Sequence, residues 1–527
     1  MKLNYKRTIC VGFAFFLICA FWQAYDNTIP LILTNKFGMS QAWSGVIMAL
    51  DNILALFLLP LFGAISDKHT GKRGRRTPFI VFGTIVAAIA FISLSLVDDA
   101  QLKNIDAAAA IDDPAALRVV YQQEADRTLK TPDGETFVLE DTFTEDEFAA
   151  ITSQVTNAEG KTVTNHDYTN YVVPARQAYA HQTTVQHPGA LIGFIALLLV
   201  VLLAMATFRS PAVALMPDVT IKPLRSKANA VINLMGTAGG IIVLLLGMVF
   251  GTSKDAYMDY TGFVIATCAV MIIGLLIFVF TVKEPAWNKE MLLAQQKIDA
   301  LVPEPESAAP FDRHGAENSK KTEKEKLVSL ILILASVALW YMGYNAVTSK
   351  YSVYATNILH QNFNLTLIIA QAAAVVAYIP VGIIAGKLGR KKTILIGVAL
   401  LFAAFTAGAF IRSSTPAVVM YLLFALAGVA WATINVNSFP MVVELASGST
   451  IGKYTGYYYT ASMAAQIVTP ILSGILLDVS MLFLFPYAAV FVLLSGVTML
   501  FVKFGNSQDL NGKTTAQLIE ENFSGED

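Results

Sequence analysis

"SDKHTGKRGRRTPFI", residues 66–80, is the stretch whose reading decides the fold. Six bases (Lys68, His69, Lys72, Arg73, Arg75 and Arg76) follow a single acid, Asp67, while the chain on both sides is nearly uncharged and strongly apolar. Lysine and arginine are retained in short loops on the cytoplasmic side of a membrane. The cluster therefore reads as a short cytoplasmic turn between two spanning helices. A spanning helix needs about 20 mostly apolar residues. That ruler, walked outward, gives twelve segments: 8–36, 41–66, 77–97, 189–217, 226–251, 260–282, 327–356, 364–386, 393–412, 416–443, 455–477 and 481–502. The basic loops at 67–76, 222–227 and 387–392 then share one side, which places the N-terminus and the tail 504–527 in the cytoplasm. The apolar run of the first segment continues to about residue 35 with no convincing cleavage site, so a signal peptide is rejected.

Composition agrees. Charged residues make up 14% of the 527-residue chain and hydrophobic ones 55%, against roughly 25% charged in a soluble domain. Net charge is −1, which suggests no nucleic-acid partner. Cys10, Cys19 and Cys268 all sit in apolar runs and suggest neither a disulfide nor a metal site. There is no nucleophile motif or phosphate loop, so neither an enzyme nor a cofactor is expected.

An internal repeat sets the architecture. "GAISDK" at 63–68 and "GIIAGK" at 382–387 are 319 residues apart, and so are Tyr25–Asp26 and Tyr344–Asn345. "MPDV", with Asp218, and "VVEL", with Glu444, are 226 apart. The difference, 93, matches the polar stretch 98–188, which carries sixteen acids and six Lys or Arg. The expected fold is all-α and polytopic: two pseudo-symmetric six-helix halves, with an extracellular insertion between helices 3 and 4. The divisions are 1–97 (helices 1–3), 98–188 (insertion), 189–282 (helices 4–6), 283–326 (cytoplasmic linker) and 327–503 (helices 7–12). Asp113–Pro114 predicts a helix start. Thr144 and Glu147 form a capping box before "FAAITSQV". Pro132-Asp133-Gly134 predicts a turn before a strand in "ETFVLE". The insertion thus reads as a small α/β ectodomain without disulfides, whose role is open between a lid, a module for an extracellular partner and decoration, with decoration the default.

Paired halves characterise many secondary transporters, whose substrate sits near the midplane. Twelve helices in two halves with a polar linker resemble the major facilitator superfamily. Its loop signature is similar to Gly63, Asp67, Lys68, then Gly74, Arg75 and Arg76. The longer pattern of Trp43-Ser44, Pro60, Gly63, Ser66-Asp67 and Gly74-Arg75-Arg76-Thr77-Pro78-Phe79-Ile80, with Pro211 and Asp218, resembles the sucrose–proton symporters and the related glycoside–pentoside–hexuronide cation symporters. The chain departs from that branch at Val213, where an arginine is usual. The resemblance implies a cytoplasmic latch of Gly63, Asp67, Arg75, Arg76, Asp218, Arg390 and Glu444; in the second half Gly386 replaces the acid. Sodium coupling is not expected: the related melibiose branch uses two aspartates one turn apart late in helix 2, and Ala55 and Leu59 stand at the positions that look equivalent.

Charge inside a membrane costs about 2.5–3.5 kcal/mol and usually faces a cavity. Asp26, Asp51 and Arg209 are the three such residues, all in the first half, and they are the proton-coupling candidates. A buried Asp51–Arg209 ion pair without a proton cycle is the structural alternative. Sugar recognition combines hydrogen-bonding groups with aromatic faces. Trp22, Gln23, Tyr25 and Asn27 supply both in helix 1, Trp340, Tyr344 and Asn345 in helix 7, Gln371 in helix 8, and Trp431, Asn435 and Asn437 in helix 10. Lys350 is expected to snorkel to the interface. Gly236, Gly239 and Gly240 read as packing residues, and the absence of proline from 226–251 speaks against a drug–proton antiporter. The expected activity is inward symport of a glycoside with a proton, by a monomer in the plasma membrane. The alternatives are a non-sugar solute or an exporter, and a non-transporting sensor that uses the ectodomain.

Overall fold

The computed structural model describes residues 3–156, 162–221, 224–301, 316–443, 445 and 451–505. Helices dominate because apolar side chains can face lipid only if each backbone N–H and C=O is paired within its own segment. The first half contains α1 (Tyr5–Leu31, ending in a π-turn, Ile32–Lys36), α2 (Gln41–Lys68) and α3 (Thr77–Asn104). After the insertion it continues with α9 (Gly189–Val219), α10 (Arg225–Phe250) and α11 (Thr261–Thr281). The second half contains α13 (Ala316–Tyr354, also ending in a π-turn, Ala355–Leu359), α14 (Phe363–Leu388), α15 (Arg390–Gly408), α16 (Ala417–Val443), α17 (Ile451–Val479) and α18 (Leu484–Leu500). Eleven of these are long and apolar enough to cross a membrane. The twelfth is α14, whose apolar stretch Phe363–Tyr378 is shorter. The expected twelve-helix, two-half fold is present.

The repeat is visible in the packing. In the first half α1 packs on α10 and α11, α3 on α9 and α11, and α2 on α9. In the second half α13 packs on α17 and α18, α15 on α16 and α18, and α14 on α16. One apolar core lies in the first half; the other centres on the second half and also takes in Leu31 of α1, Ala256 and Tyr257, and Ile105, Ala108 and Ala180 of the segment between α3 and α9. Among the described residues the halves meet mainly along three helix pairs: α2 with α17, α10 with α14, and α1 with α13.

The insertion begins later than its charge suggested. Asp98 is fully buried inside α3, where its Oδ2 accepts from Lys36 Nζ at 2.7 Å. The same ammonium donates to Met258 O at 2.7 Å and lies 4.6 Å from the Tyr260 ring. A paired acid does not end a membrane helix, so α3 runs seven residues past the expected boundary. The insertion proper holds α4 (Asp106–Ala109), α5 (Pro114–Glu124), α6 (Leu139–Thr142), α7 (Glu145–Ala149) and α8 (Val173–Gln186). It also holds two hairpins, β1 (Thr128–Lys130) with β2 (Thr136–Val138), and β3 (Gln154–Thr156) with β4 (Thr162–Thr164). Asp113 caps α5, and the Thr144–Glu147 capping box forms. The helix after that box is only five residues long, because Gln154–Thr156 pairs as a strand. A small core around Leu117, Leu139 and Phe148 holds the insertion together. In the linker, α12 (Glu284–Leu301) is a helix of its own, and α13 already begins within it at Ala316.

Candidate functional site

A cavity lies between the halves. Its walls are Trp22 and Asp26 of α1, Met48, Asp51 and Asn52 of α2, Arg209 of α9, Asn345, Thr348 and Ser349 of α13, and Gln466 and Pro470 of α17. The three membrane charges picked out in the sequence therefore converge. Asp26, Asp51 and Arg209 interact electrostatically. Among the described residues, neither carboxylate forms a direct ion pair with Arg209. Its guanidinium instead lies 5.4 Å from the Trp22 ring. Asp51 Oδ1 accepts from Asn52 Nδ2 at 2.7 Å. Two acids beside one unpaired cation leave a carboxylate free to exchange a proton, which a closed Asp51–Arg209 bridge would oppose.

The sugar candidates divide by position. Trp22 and Asn345 line the cavity. Gln371 Nε2 donates to Gln23 Oε1 at 2.6 Å, a bond between the halves beside Gly240. Tyr344 and Trp431 stack, with centroids 3.7 Å apart and planes within 5°. Asn435 lies near the Tyr378 hydroxyl. Tyr25, Asn27, Trp340 and Asn437 are packed in the interior: Tyr25 stands edge-on to Trp22 at 5.2 Å, and Asn437 Nδ2 donates to Thr433 O at 2.9 Å. Thr348, Ser349, Asn52 and Gln466 were not singled out. Thr348 and Ser349 lie one helical turn past Asn345, so the face already marked by Asn345 could have found them. Trp22 Nε1 and Asn345 Nδ2 are buried donors without a partner.

The hydrogen-bonded seal between the halves gathers at the end that carries the insertion. Asp478 of α17 accepts from the backbone N–H groups of Gln41 and Ala42 at the first turn of α2, at 2.5 and 2.9 Å. A carboxylate there satisfies orphan donors and the positive end of the helix dipole. Lys350 is fully buried and donates to Gln41 O at 2.9 Å, so it joins this seal rather than snorkelling to the interface. Asn357 Nδ2 donates to Asn35 Oδ1 at 2.9 Å, and Asn364 Nδ2 donates to Thr252 Oγ1 at 2.8 Å.

At the opposite end the signature loop forms a charged cluster. Arg75 donates to both oxygens of Asp218, at 3.1 and 2.6 Å. Arg76 donates to Asp218 at 2.8 Å and also reaches Asp67, Ser66 and, at 3.5 Å, Gly63 O. All of these belong to the first half. Arg390 donates to Pro440 O at 3.3 Å within the second half, and Glu444 lies outside the described residues. Glu284, read in sequence as linker, completes the cluster. Its carboxylate accepts from the N–H groups of Arg75, Arg76 and Thr77 and from Thr77 Oγ1, at 2.7–2.9 Å. Gly74 is required beside it. Its φ is +103°, and a Cβ there would sit 2.3 Å from the Glu284 carboxyl carbon.

Two repeated bundles set in the same orientation around a polar cavity, with the hydrogen bonds between them gathered at one end among the described residues, are the architecture of a membrane transporter. The chain belongs to the MFS_1 like family, whose model matches residues 28–487. Among curated proteins, a 55-residue stretch is 42% identical to the sucrose transport protein SUC4 of Arabidopsis thaliana, covering 10% of this chain and 11% of that one. A 124-residue stretch is 30% identical to the uncharacterized MFS-type transporter MJ1317 of Methanocaldococcus jannaschii, covering 24% of this chain and 30% of that one. The matches thus span less than a third of either relative. The fold is similar to the xylose transporter XylE from E. coli, at 14% identity and a TM-score of 0.55 over 98% of this chain and 100% of that one. It is also similar to a bacterial homologue of the iron transporter ferroportin, at 11% identity and a TM-score of 0.57 over 95% and 99%.

Proposed function

We propose that the protein is a proton-coupled sugar symporter that works by alternating access. The observation that carries this is the composition of one cavity. The first half supplies the ionisable groups Asp26, Asp51 and Arg209, and the second half supplies the neutral groups Asn345, Thr348, Ser349 and Gln466. A hydroxylated ligand needs donors and acceptors on several sides plus an apolar face. Trp22 offers that face, and its indole N–H and the Asn345 amide offer donors that lack partners. A carboxylate that loses solvent as the cavity closes gains affinity for its proton, and one that approaches Arg209 loses it. Rocking the halves changes both conditions together, which couples sugar to proton. The basic end faces the cytoplasm of a plasma-membrane monomer with both termini inside, and the signature cluster, whose bonds all lie within the first half, braces that half there rather than bridging to the second.

Counterflow of radiolabelled mono- and disaccharides in proteoliposomes tests this reading. Wild-type protein exchanges one class of sugar, and an imposed inward proton gradient accelerates net uptake. Asp26→Asn keeps exchange but loses the response to the gradient. Exchange of no sugar, by folded protein that moves a different solute, refutes the sugar assignment.

A further inference from the structure

The insertion leaves the first half through α3 and returns to it through α9, so it is covalently part of that half. Nothing in this connection requires it to touch the other half, yet it does so at two separate places. The carbonyl of Pro132, at the tip of the β1–β2 hairpin, accepts from Ser480 Oγ and from Met481 N–H, both at 2.9 Å, in the turn between α17 and α18. Thr169 Oγ1 pairs with His360 Nε2 at 2.8 Å, in the turn between α13 and α14. On the first-half side Gln177 Nε2 of α8 donates to Asn35 Oδ1 at 2.9 Å, and Gln101 Nε2 of α3 donates to Thr184 Oγ1 at 3.0 Å. Asn35 Oδ1 also accepts from Asn357 of the second half. One oxygen in the first half thus holds both the insertion and the opposite half.

We infer that the insertion is a strap across the halves, holding the insertion end shut and letting go once in each cycle. The inference rests on the rocking of the halves proposed above. Because both of its ends enter the first half, the strap travels with that half. The bonds that must break are those to Ser480, Met481 and His360. All are neutral hydrogen bonds, each modest in net strength, so the strap biases the equilibrium and releases without a large barrier. His360 sits in a left-handed conformation, with φ of +51°, which presents its ring to Thr169 at the turn.

The test uses the full chain with its three native cysteines replaced by serine and with spin labels on Lys254→Cys and Ser414→Cys. These positions lie in exposed turns of opposite halves at the insertion end. Pulsed dipolar spectroscopy then reads the populations of short and long distances with and without transported sugar. The release variant Thr169→Ala/His360→Gly/Ser480→Ala keeps a residue tolerant of positive φ at 360 and removes two of the three second-half bonds. The expected result is a rise of roughly tenfold in the ratio of long to short distances, from the loss of two such bonds. Unchanged populations in the release variant, where sugar still shifts wild type between two distances, overturn the strap and leave rocking intact. A single fixed distance under every condition overturns rocking and the strap with it. An independent variant pair, Thr169→Cys/His360→Cys bridged by a short bismaleimide, is expected to abolish counterflow while each single cysteine does not. Full counterflow in bridged protein likewise overturns the strap.

Discussion

Replacing Gly45 with alanine is expected to prop the insertion end open. Gly45 lies on α2 where that helix crosses α17, and a Cβ there would sit 1.9 Å from Pro470 O and 2.5 Å from its carbonyl carbon. Ordinary contact begins at about 3.5 Å, so the two backbones must part by roughly 1.5 Å. The obstacle is main chain, which cannot rotate aside as a side chain does. Overpacking of this kind costs about 1–3 kcal/mol. Alanine also raises helix stability by about 1 kcal/mol over glycine, but α2 is helical in both conformations and that gain cancels. The strain exists only while α2 and α17 are in contact. At 1.4 kcal/mol per factor of ten, the closed-to-open ratio falls about 5- to 150-fold. Labels at Lys254→Cys and Ser414→Cys report it, with the long distance becoming dominant in Gly45→Ala. A distance distribution identical to that of the parent, in protein that binds sugar, would refute the reasoning. So would a shift toward the short distance.

The remaining expectations concern charge. Asp478→Asn keeps the shape of the α2 cap but removes its charge, so the open fraction rises by a smaller factor than in Gly45→Ala, measured with the same labels. Asp98→Asn leaves Lys36 buried without its counter-charge, which costs about 3–5 kcal/mol; the melting temperature in detergent drops, and Lys36→Met/Asp98→Leu recovers much of the loss. Glu284→Ala removes acceptors from three consecutive N–H groups, so hydrogen exchange at 75–77 accelerates while the core of α3 stays protected. Burial pushes His360 down to about 4 from its ordinary 6.5. A histidine held neutral in the fold contributes its full stability above the unfolded value and loses it as pH falls toward 4. The melting temperature is therefore expected to decline between pH 6.5 and 4, and the decline to flatten in His360→Gly.

Local composition carried the helices and their repeat because lipid exposure forces long apolar runs, and the repeat preserves landmarks such as Tyr25–Asp26 and Tyr344–Asn345. The convergence of Asp26, Asp51 and Arg209 was legible for the same reason: a charge inside such a run has few places to go. Pairing across distance was not legible. Asp98 looked like the end of a membrane helix, and only Lys36, 62 residues earlier, makes it an interior residue. Lys350 looked interfacial, and only the first turn of α2 folded against it shows why it is buried. Glu284 read as linker because its partners are backbone N–H groups, which no residue type reveals. Trp340 matched the pattern of a sugar-facing aromatic, yet its face of α13 turns into the core of the second half. An aromatic serves packing and stacking equally well, so spacing alone does not separate them.

The central claim is that sugar and proton cross together through the cavity of Asp26, Asp51 and Arg209. The most direct measurement traps a pH-sensitive dye inside proteoliposomes and adds sugar outside, with no imposed gradient. Acidification of the lumen that requires the transported sugar, and that disappears in Asp26→Asn or Asp51→Asn while sugar exchange continues, is the predicted result. Sugar accumulation with no movement of protons, in wild-type protein, would contradict it.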